Sequence, residues 1–537
     1  MSETDDSTDA ETHVESDDPG QRGTGPRSAF LIAGAMALVL VAVAIAIVMR
    51  ILGGGGQQAA EVMPDDTIAY LAIDLDPPAE QKIAAYRFLR AFPDVRDEVS
   101  AESDIRSELI SEIVDSLECE GLDPMSVESW IGSRIAVAAR RDGDTVSPSM
   151  VVQVEDAEAA RSDLALIGPC LERAGAADAD PGAYGVTISG DYAVLAPSQA
   201  ESDAAVAAAQ DGSLADDGDF QQWMGRAGDD GIVEGYLSAD AGAALGDLLR
   251  GELGGFGEFG EGFTAEVPPE SSAEIAEAFD GLGAASMSLR FDDKTLELST
   301  AVQTEEAPGR EGTLIGTLPE TTEVAVAGNL PAGWAQGALD RIETQVGDLI
   351  DVRTLLRQFA RETGLEAPGD IETLLGERTA LAVSGGVVAA VNAADASGGE
   401  QVDIPLGVLA EGDPDAIGDV VDKLAELSEQ AGVPVVQSMQ DRRVAFGFSQ
   451  AWTDELARAD GRLAEDDGFG QVIPDGGDAG VAIFVDLDGE IARSLRGEIP
   501  EGDRQDYDDV VGPLSALGVS GVYDDGALVY RIRLGVD

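Results

Sequence analysis

Residues 63–77 read MPDDTIAYLAIDLDP, a Pro-Asp-Asp turn followed by an apolar run and then the phrase Asp-Leu-Asp-Pro. Residues 318–331 read LPETTEVAVAGNLP and repeat this order, with a turn after proline, an apolar run and the ending Asn-Leu-Pro. Each run has the length of a β-strand and follows turn-forming residues. The two stretches lie 255 residues apart, so they predict that one structural unit occurs twice in the chain.

Three further pairs of stretches keep the same order along the chain. WIGSRIA at 130–136 matches LLGERTA at 374–380, SQA at 198–200 matches SQA at 449–451, and LADD at 214–217 matches LAED at 463–466. Their offsets are 244, 251 and 249 residues, so only the loop lengths drift. We therefore predict a tandem duplication, with copy 1 at residues 63–303, a polar linker at 304–317 and copy 2 at residues 318–537.

Each copy alternates short apolar runs with helical stripes. Apolar residues at a period near 3.6 predict a helix around residues 160–171 in copy 1 and around residues 417–427 in copy 2. Turn residues between apolar runs predict hairpins, such as the one at Gly190-Asp191 and those that end the copies, at residues 285–302 and 519–534. This mixture is typical of the α+β class rather than of a doubly wound nucleotide-binding fold. We predict two tandem copies of one mixed helix and antiparallel-sheet domain after a single transmembrane helix.

The phrase Asp-x-Asp returns at residues 483–489, IFVDLDG. In the register of the duplication it corresponds to GYLSAD at residues 235–240, so an apolar strand followed by Asp, Asn or Ser occurs twice per copy. Asp76 before two prolines and Asp488 before Glu490 are typical of helix N-caps. A calcium loop is the alternative, because Asp486 also supplies an oxygen ligand, but the EF-hand spacing is missing at both places. We interpret these residues as structural and predict no metal site, no cofactor and no catalytic residue.

The chain carries 103 acidic and 33 basic residues, a formal net charge of −70. A field of this sign repels phosphate backbones, so the composition excludes nucleic acid as a partner. The one histidine, His13, lies in a polar tail, which removes Ser-His-Asp and Cys-His catalysis and histidine-containing zinc sites from the folded part. We interpret the acidity as a surface adaptation that favours solubility and tolerance of salt.

Ala29–Met49 is a run of 21 residues without a charged side chain. At 1.5 Å per residue it spans roughly 31 Å, the thickness of a bilayer core, and it exceeds the apolar part of a cleaved signal peptide. We predict an anchor at residues 29–52 between a disordered acidic cytoplasmic tail at 1–28 and a glycine-rich linker at 53–62. Arg22 and Arg27 favour a cytoplasmic N terminus, which places both copies outside the cell membrane.

Cys119 and Cys170 are the two cysteines of the chain. In an oxidising extracytoplasmic compartment we expect them to form a disulfide that closes a loop of about fifty residues. Two separate buried thiols are the alternative interpretation.

The acidic tail, the single apolar run and the entry phrase VMPDDTIAYLAIDLDPPAEQKIAAYRFLRAFPDV at residues 62–95 resemble the uncharacterised bacterial, mainly actinobacterial, membrane-anchored family DUF 3352. The resemblance covers nearly all of the chain after the apolar run, and it rests on the entry phrase and the layout rather than on reactive residues. It implies an exported, membrane-tethered protein. Because the family has no assigned activity, it transfers no catalytic role to any position.

The two copies differ most after Arg250, where copy 1 inserts GGFGEFGEGFTAEVPPE at residues 254–270. Glycine gives this stretch conformational freedom, whereas Phe256, Phe259 and Phe263 are apolar side chains that are costly to leave in water. These phenylalanines either fold back onto their own domain or contact a lipid or an envelope protein. Because copy 2 has no counterpart, we predict that this segment bears function as a contact with a lipid or a protein partner.

Two classes of function stay open for this chain. The first is a non-enzymatic, membrane-tethered binding or scaffold protein of the cell envelope, which uses the cleft between the copies or an apolar groove in one of them. The second is an anchored hydrolase, such as a glycosidase, that works with two carboxylates. We favour the binding protein. An apolar pocket, as against one with two facing carboxylates about 5–10 Å apart, distinguishes the two classes.

Overall fold

The computed structural model describes residues 57–93, 95, 110–111, 114, 119, 121–142, 145–173, 184–228, 231–242, 244, 283–304, 312–346, 352–397, 403–430 and 434–537. We call the part within residues 57–304 the first half and the part within residues 312–537 the second half. Both halves belong to one compact unit, Leu52–Asp537.

Sixteen strands run through the described residues. Those of the first half are β1 (Thr67–Asp74), β2 (Ile131–Asp142), β3 (Thr145–Val154), β4 (Gly185–Ser189), β5 (Tyr192–Ala196), β6 (Val233–Leu237), β7 (Ala285–Asp292) and β8 (Thr295–Gln303). Those of the second half are β9 (Thr322–Asn329), β10 (Arg378–Ser384), β11 (Ile404–Glu411), β12 (Val436–Gln440), β13 (Arg443–Phe448), β14 (Val481–Asp486), β15 (Leu514–Asp524) and β16 (Ala527–Val536).

The α-helices of the described residues number fourteen. The first half contains α1 (Ala79–Leu89), α2 (Pro124–Trp130), α3 (Ala157–Arg173), α4 (Gln199–Asp211) and α5 (Gly218–Ala227). The second half contains α6 (Trp334–Val346), α7 (Val352–Thr363), α8 (Gly369–Leu375), α9 (Val387–Ser397), α10 (Pro414–Gln430), α11 (Gln450–Arg458), α12 (Asp467–Val472), α13 (Glu490–Glu498) and α14 (Arg504–Val510). Short 3₁₀ helices cover Gln57–Val62, Leu214–Asp216, Ile315–Thr317 and Leu463–Glu465.

The sixteen strands form one antiparallel sheet. Its order is β4-β5-β3-β2-β1-β6-β7-β8 in the first half and β12-β13-β11-β10-β9-β14-β15-β16 in the second, and the halves meet where β8 pairs with β16. Each half therefore lists its eight strands in the same spatial order. The predicted mixture of helices with a largely antiparallel sheet is confirmed. The predicted hairpins are also confirmed: β4–β5 with its turn at Gly190-Asp191, β7–β8 and β15–β16.

Alternation along β1 divides the side chains of the sheet between two faces. Tyr70 and Ala72 lie in the hydrophobic core of the first half, and Leu71 between them points to the opposite face. We call these the core face and the outer face. In the second half the core face carries a run of small side chains, including Ala325, Ala327, Ala380, Ala382 and Ala482. Small strand residues let the large side chains of the helices approach the sheet closely.

The helices on the core face occupy matching places in the two halves. Phe220, Trp223 and Met224 of α5 fill the core of the first half, and Phe469 and Val472 of α12 fill that of the second. These bulky side chains fill the space above the small alanine side chains of the strands.

Capping at these helices is also matched. Asp217 and Asp466 accept the amide hydrogen of the third residue beyond them, at 2.8 Å in both cases, and so begin α5 and α12. The hydroxyls of Ser198 and Ser449 begin α4 and α11 in the same way. Each of these side chains satisfies a backbone donor that the first turn of a helix leaves free.

The outer face is covered by helices mainly toward its two ends. In the first half α2 and α3 pack on β3 and β5, and the indole nitrogen of Trp130 donates to the Asp163 carboxylate at 2.8 Å. In the second half α10 covers β11 and β13 through Ile417 and Val421. Helix α1 packs on β7 and β8, with the rings of Phe88 and Phe291 5.4 Å apart.

The joint between the halves contains a buried charge cluster on the core face. Glu297 of β8 is fully buried and pairs in register with Arg290 of β7 on one side and Arg533 of β16 on the other. Its carboxylate contacts the Arg290 guanidinium at 2.5 Å and forms a salt bridge with Arg533. A carboxylate that water cannot reach is tolerated only when it is paired, so these two arginines compensate Glu297.

The β8–β16 ladder is also centred on matching positions. Each of these strands is the second strand of a hairpin, β7–β8 in the first half and β15–β16 in the second. Ser299 of β8 lies opposite Arg531 of β16, at the middle of nine paired positions, Thr295–Gln303 with Ala527–Gly535. In the β7–β8 and β15–β16 hairpins, Leu298 pairs with Leu289 and Tyr530 pairs with Gly521. Ser299 follows Leu298 and Arg531 follows Tyr530, so the two residues at the middle of the ladder occupy the same place in their own halves.

Cys119 is disulfide-bonded and lies partly buried against the core under α2 and α3. Cys170 belongs to α3, but its side chain lies outside what the structure describes. The bridge between Cys119 and Cys170 stays a prediction.

The prediction of a single-pass membrane protein, anchored by Ala29–Met49 with an extracytoplasmic C-terminal part, is contradicted. Within the described part of the chain, none of the helices combines the length and the apolar character that a crossing of the bilayer requires. The longest ones, α3 and α10, have 17 residues each and carry charged side chains, because they are amphipathic helices that pack one side on the sheet. The run Ala29–Met49 lies outside the described residues.

The charge cluster at the joint leads to a stability prediction. Glu297→Ala leaves two largely buried arginines without their carboxylate and should lower the free energy of unfolding by about 3–5 kcal/mol. Denaturant titration followed by tryptophan fluorescence measures this loss.

The matched control is Glu320→Ala, which removes one partner of an exposed pair with Arg462. It should cost less than about 1 kcal/mol, since solvent screens such pairs. Equal and small losses for both variants would show that the joint does not depend on Glu297.

Candidate functional site

A cleft of about 490 Å³ lies where the first half meets helices α13 and α14 of the second half. Its apolar walls are Ala91, Pro93, Leu487, Ala492, Val511 and Pro513. Its polar side chains are Asp488, Arg493, Arg496, Tyr507 and Asp508. This combination of apolar walls with a few polar groups is typical of small-molecule sites.

The position of α13 is set by a carboxylate from a neighbouring strand. Glu323 of β9 accepts the amide hydrogens of Glu490 and Ile491 through its two oxygens, each at 2.8 Å. Two free donors of the first helical turn are satisfied in this way, and the negative charge interacts favourably with the helix dipole. Glu323 and α13 are 167 residues apart in sequence, so no local pattern could have predicted this cap.

The prediction that Asp76 and Asp488 are N-caps is therefore wrong. Helix α1 begins after Pro78 and α13 after Gly489, and neither helix has a side-chain cap from these aspartates. Instead the first aspartate of each phrase makes the turn, because Asp74 accepts the Asp76 amide hydrogen at 2.9 Å and Asp486 accepts that of Asp488 at 3.1 Å. The second aspartate is left to face outward, and Asp488 does so at the cleft.

Helices α13 and α14 are held together by a two-pronged ion pair. Both Nε and Nη2 of Arg496 donate to the carboxylate of Asp508. These hydrogen bonds from Arg496 hold the pKa of Asp508 below its ordinary value, and burial raises the pKa of Tyr507 beside it. The pair fixes one wall of the cleft and leaves Arg496 and Asp508 mutually compensated.

Two charges of opposite sign in the cleft are not compensated in this way. Arg493 donates from Nε to the backbone oxygen of Gly489 at 3.1 Å, and within the described residues it makes no ion pair. Asp488 likewise has no ion-pair partner among the described residues. The cleft therefore offers a ligand one cationic and one anionic contact beside its apolar walls.

A hydrolase with two carboxylates finds little support in this arrangement. The acids of the cleft are Asp488 and Asp508, and Arg496 keeps Asp508 ionised, whereas a general acid must hold a proton near neutral pH. Burial raises the pKa of Asp74 to about 7 and that of Asp486 to about 6, but neither residue lines the cleft. The described lining combines apolar side chains with a smaller number of charged and polar ones.

The three phenylalanines that the sequence singled out, Phe256, Phe259 and Phe263, lie outside the described residues, so their contact with a partner or lipid stays a prediction. Within the described residues, no cluster of three or more His, Cys, Asp or Glu side chains could hold a metal ion. Sequence reasoning missed Arg493, Tyr507 and Asp508, which carry no motif and come together only through the packing of α13 on α14.

Comparisons with known proteins identify no family for this chain. No family model matches it, and no curated protein matches it. Crystal form I of TP0453 is similar to 47% of this chain and 81% of its own, with 11% identity and a TM-score of 0.20. Crystal form III of TP0453 is similar to 48% of this chain and 80% of its own, with 11% identity and a TM-score of 0.19. Similarity this low supports no argument about the fold or the function, and the resemblance to DUF 3352 stays a prediction.

The buried Asp74 leads to a prediction about pH. Asp74 is about 1% exposed, and burial raises the pKa of its carboxyl to about 7 in the folded chain, against the ordinary value of 3.8 in the unfolded chain. The folded state binds more protons in this window, so the contribution of Asp74 to stability falls as the pH rises from about 4 to 7. Asp74→Asn, which copies Asn329 at the matching place in β9, should gain stability over the native chain by up to about 4 kcal/mol between pH 4 and pH 8.

Thermal or denaturant unfolding of both proteins across this range measures the difference. Asp203→Asn is the control with the opposite sign, because hydrogen bonds from Thr187 and Gln199 lower the pKa of Asp203. That variant should lose stability relative to the native chain as the pH rises through about 4. A constant difference between the native chain and Asp74→Asn at all pH values would refute the prediction.

Proposed function

We propose that this chain is a non-enzymatic binding protein that holds a small zwitterionic ligand with an apolar body in the cleft beside α13 and α14. The observation that carries the proposal is the pairing of apolar walls with two uncompensated charges of opposite sign, Arg493 and Asp488. A short peptide or an amino acid with an apolar side chain has this chemistry. Its carboxylate would bind Arg493, its ammonium group would bind Asp488 and its side chain would contact Leu487 and Val511.

The overall charge supports a ligand without net charge. The chain carries −70, so a purely anionic ligand is repelled before it reaches Arg493. A purely apolar ligand displaces water from Arg493 and Asp488 without replacing their hydrogen bonds, which costs free energy. A zwitterion can form hydrogen bonds with both Arg493 and Asp488, and because it has no net charge the acidic chain does not repel it at long range.

We also propose that the two halves are tandem copies of one domain. The shared spatial order of eight strands, the matched caps Asp217 and Asp466, and the β8–β16 ladder centred on Ser299 and Arg531 all support this. The copies then act as controls for each other. Glu323, which caps α13 beside the cleft, stands where the first half has the apolar Ile68, so the cleft depends on a change in the second copy.

Binding of the dipeptide Leu-Leu, measured by calorimetry, tests the proposed ligand class. The free dipeptide should bind about five- to tenfold more tightly than its N-acetyl or its C-amide form, because each blocked form loses one charged contact at a partly open site. Arg493→Gln should abolish the preference over the amide, and Asp488→Asn should abolish the preference over the acetylated form.

Arg361→Gln is the matched control, since Arg361 lies on α7 and does not line the cleft. It should leave both preferences unchanged. Two results would contradict the proposal: no binding of Leu-Leu at millimolar concentration, or preferences that survive in both cleft variants.

A further inference from the structure

Both halves leave the same pair of apolar side chains exposed on the outer face of the sheet. Leu71 lies opposite Val137 on β1 and β2, and Val326 lies opposite Leu381 on β9 and β10. Their exposed fractions are 37%, 44%, 42% and 38%. We call the Leu71–Val137 and Val326–Leu381 pairs the two open pairs. Neighbouring residues such as Ala72 and Ala327 are buried on the core face, so the exposure belongs to the outer face alone.

The two open pairs take equivalent places. Leu71 stands three residues before Asp74, which pairs with Arg134, and Val326 stands three residues before Asn329, which pairs with Arg378. Between β1 and β9 the order of strands is β6-β7-β8-β16-β15-β14, so seven strand spacings of about 4.8 Å separate the pairs by roughly 34 Å along the sheet. They are arranged about the centre of the β8–β16 ladder, beside which Ile532 is also exposed on the outer face.

Single exposed apolar side chains are common on protein surfaces and need no special explanation. A cross-strand pair that recurs at the equivalent place of a second half is different, since among the described residues the helices on the outer face leave all four side chains of these pairs exposed. Two equivalent sites about an approximate two-fold centre fit a partner that presents the same surface twice.

We propose that the two open pairs bind a protein partner that presents two copies of one amphipathic segment with basic residues beside its apolar side. The charge of the chain selects this occupant. With 103 acidic residues against 33 basic ones, a second copy of the chain is repelled, whereas basic flanks are attracted and steered toward the surface. The site is separate from the cleft and does not depend on the function proposed for it.

A synthetic 18-residue amphipathic helix of leucine and lysine serves as the probe, titrated into the full chain by calorimetry at moderate salt. We expect two equivalent sites per chain, with an affinity that falls as salt rises. Leu71→Ser with Val137→Ser should leave one site, and so should Val326→Ser with Leu381→Ser. Ile83→Ser, at an exposed residue of α1 outside the open pairs, should keep both sites.

A second set of variants guards against loss of folding. Val137→Thr and Val326→Thr keep a β-branched side chain that suits a strand, and each should weaken one site by about fivefold or more while the melting temperature stays close to that of the native chain. Binding that survives all of these substitutions is non-specific attraction to an acidic chain and overturns the proposal. Equal binding of a leucine and glutamate helix overturns the choice of a basic partner. No binding by the native chain overturns the site and indicates that another part of the chain, or a second copy, covers it.

Discussion

The pairing of β8 with β16 is the interaction on which the rest of the architecture depends. Through it two eight-stranded sheets become one, and the ladder is built around Glu297, whose charge is compensated by one arginine from each half. Because the carboxylate is fully buried, the three side chains are stable only together. The cleft between the halves and the separation of the open pairs both follow from this one joint.

The two halves solve the same packing problem with different sequences. Alanine on the core face, bulky residues on α5 and α12, and a carboxylate cap at each of these helices recur in both. Where the halves differ at matching places, the difference has a physical consequence. Burial raises the pKa of Asp74 to about 7, whereas Asn329 does not titrate, and Glu323 begins a helix that Ile68 could not begin.

Charge plays opposite roles at the surface and at the proposed sites. The excess of acids favours solubility and opposes association of the chain with itself. Against this background the balance of charges close to a site matters more than the total charge, because salt largely screens exposed charges that lie farther apart than about 8–10 Å. In the cleft Arg496 and Asp508 compensate each other, and Arg493 and Asp488 are the two charges on which the proposed ligand contacts rest. At the open pairs the proposed contact is apolar, and the charge of the chain selects which partner can approach.

The sequence by itself determined many of the local elements. Turn residues and apolar runs placed β1, β9 and the terminal hairpins correctly, because strand periodicity and turn chemistry are properties of neighbouring residues. It misjudged Asp76 and Asp488 as helix caps, since it could not see that the first aspartate of each phrase closes the turn. Only the tertiary structure decided the joint, the cap that Glu323 supplies from 167 residues away, and the cleft. These features depend on contacts between segments far apart in the chain, and such contacts leave no periodic signal in the sequence around them.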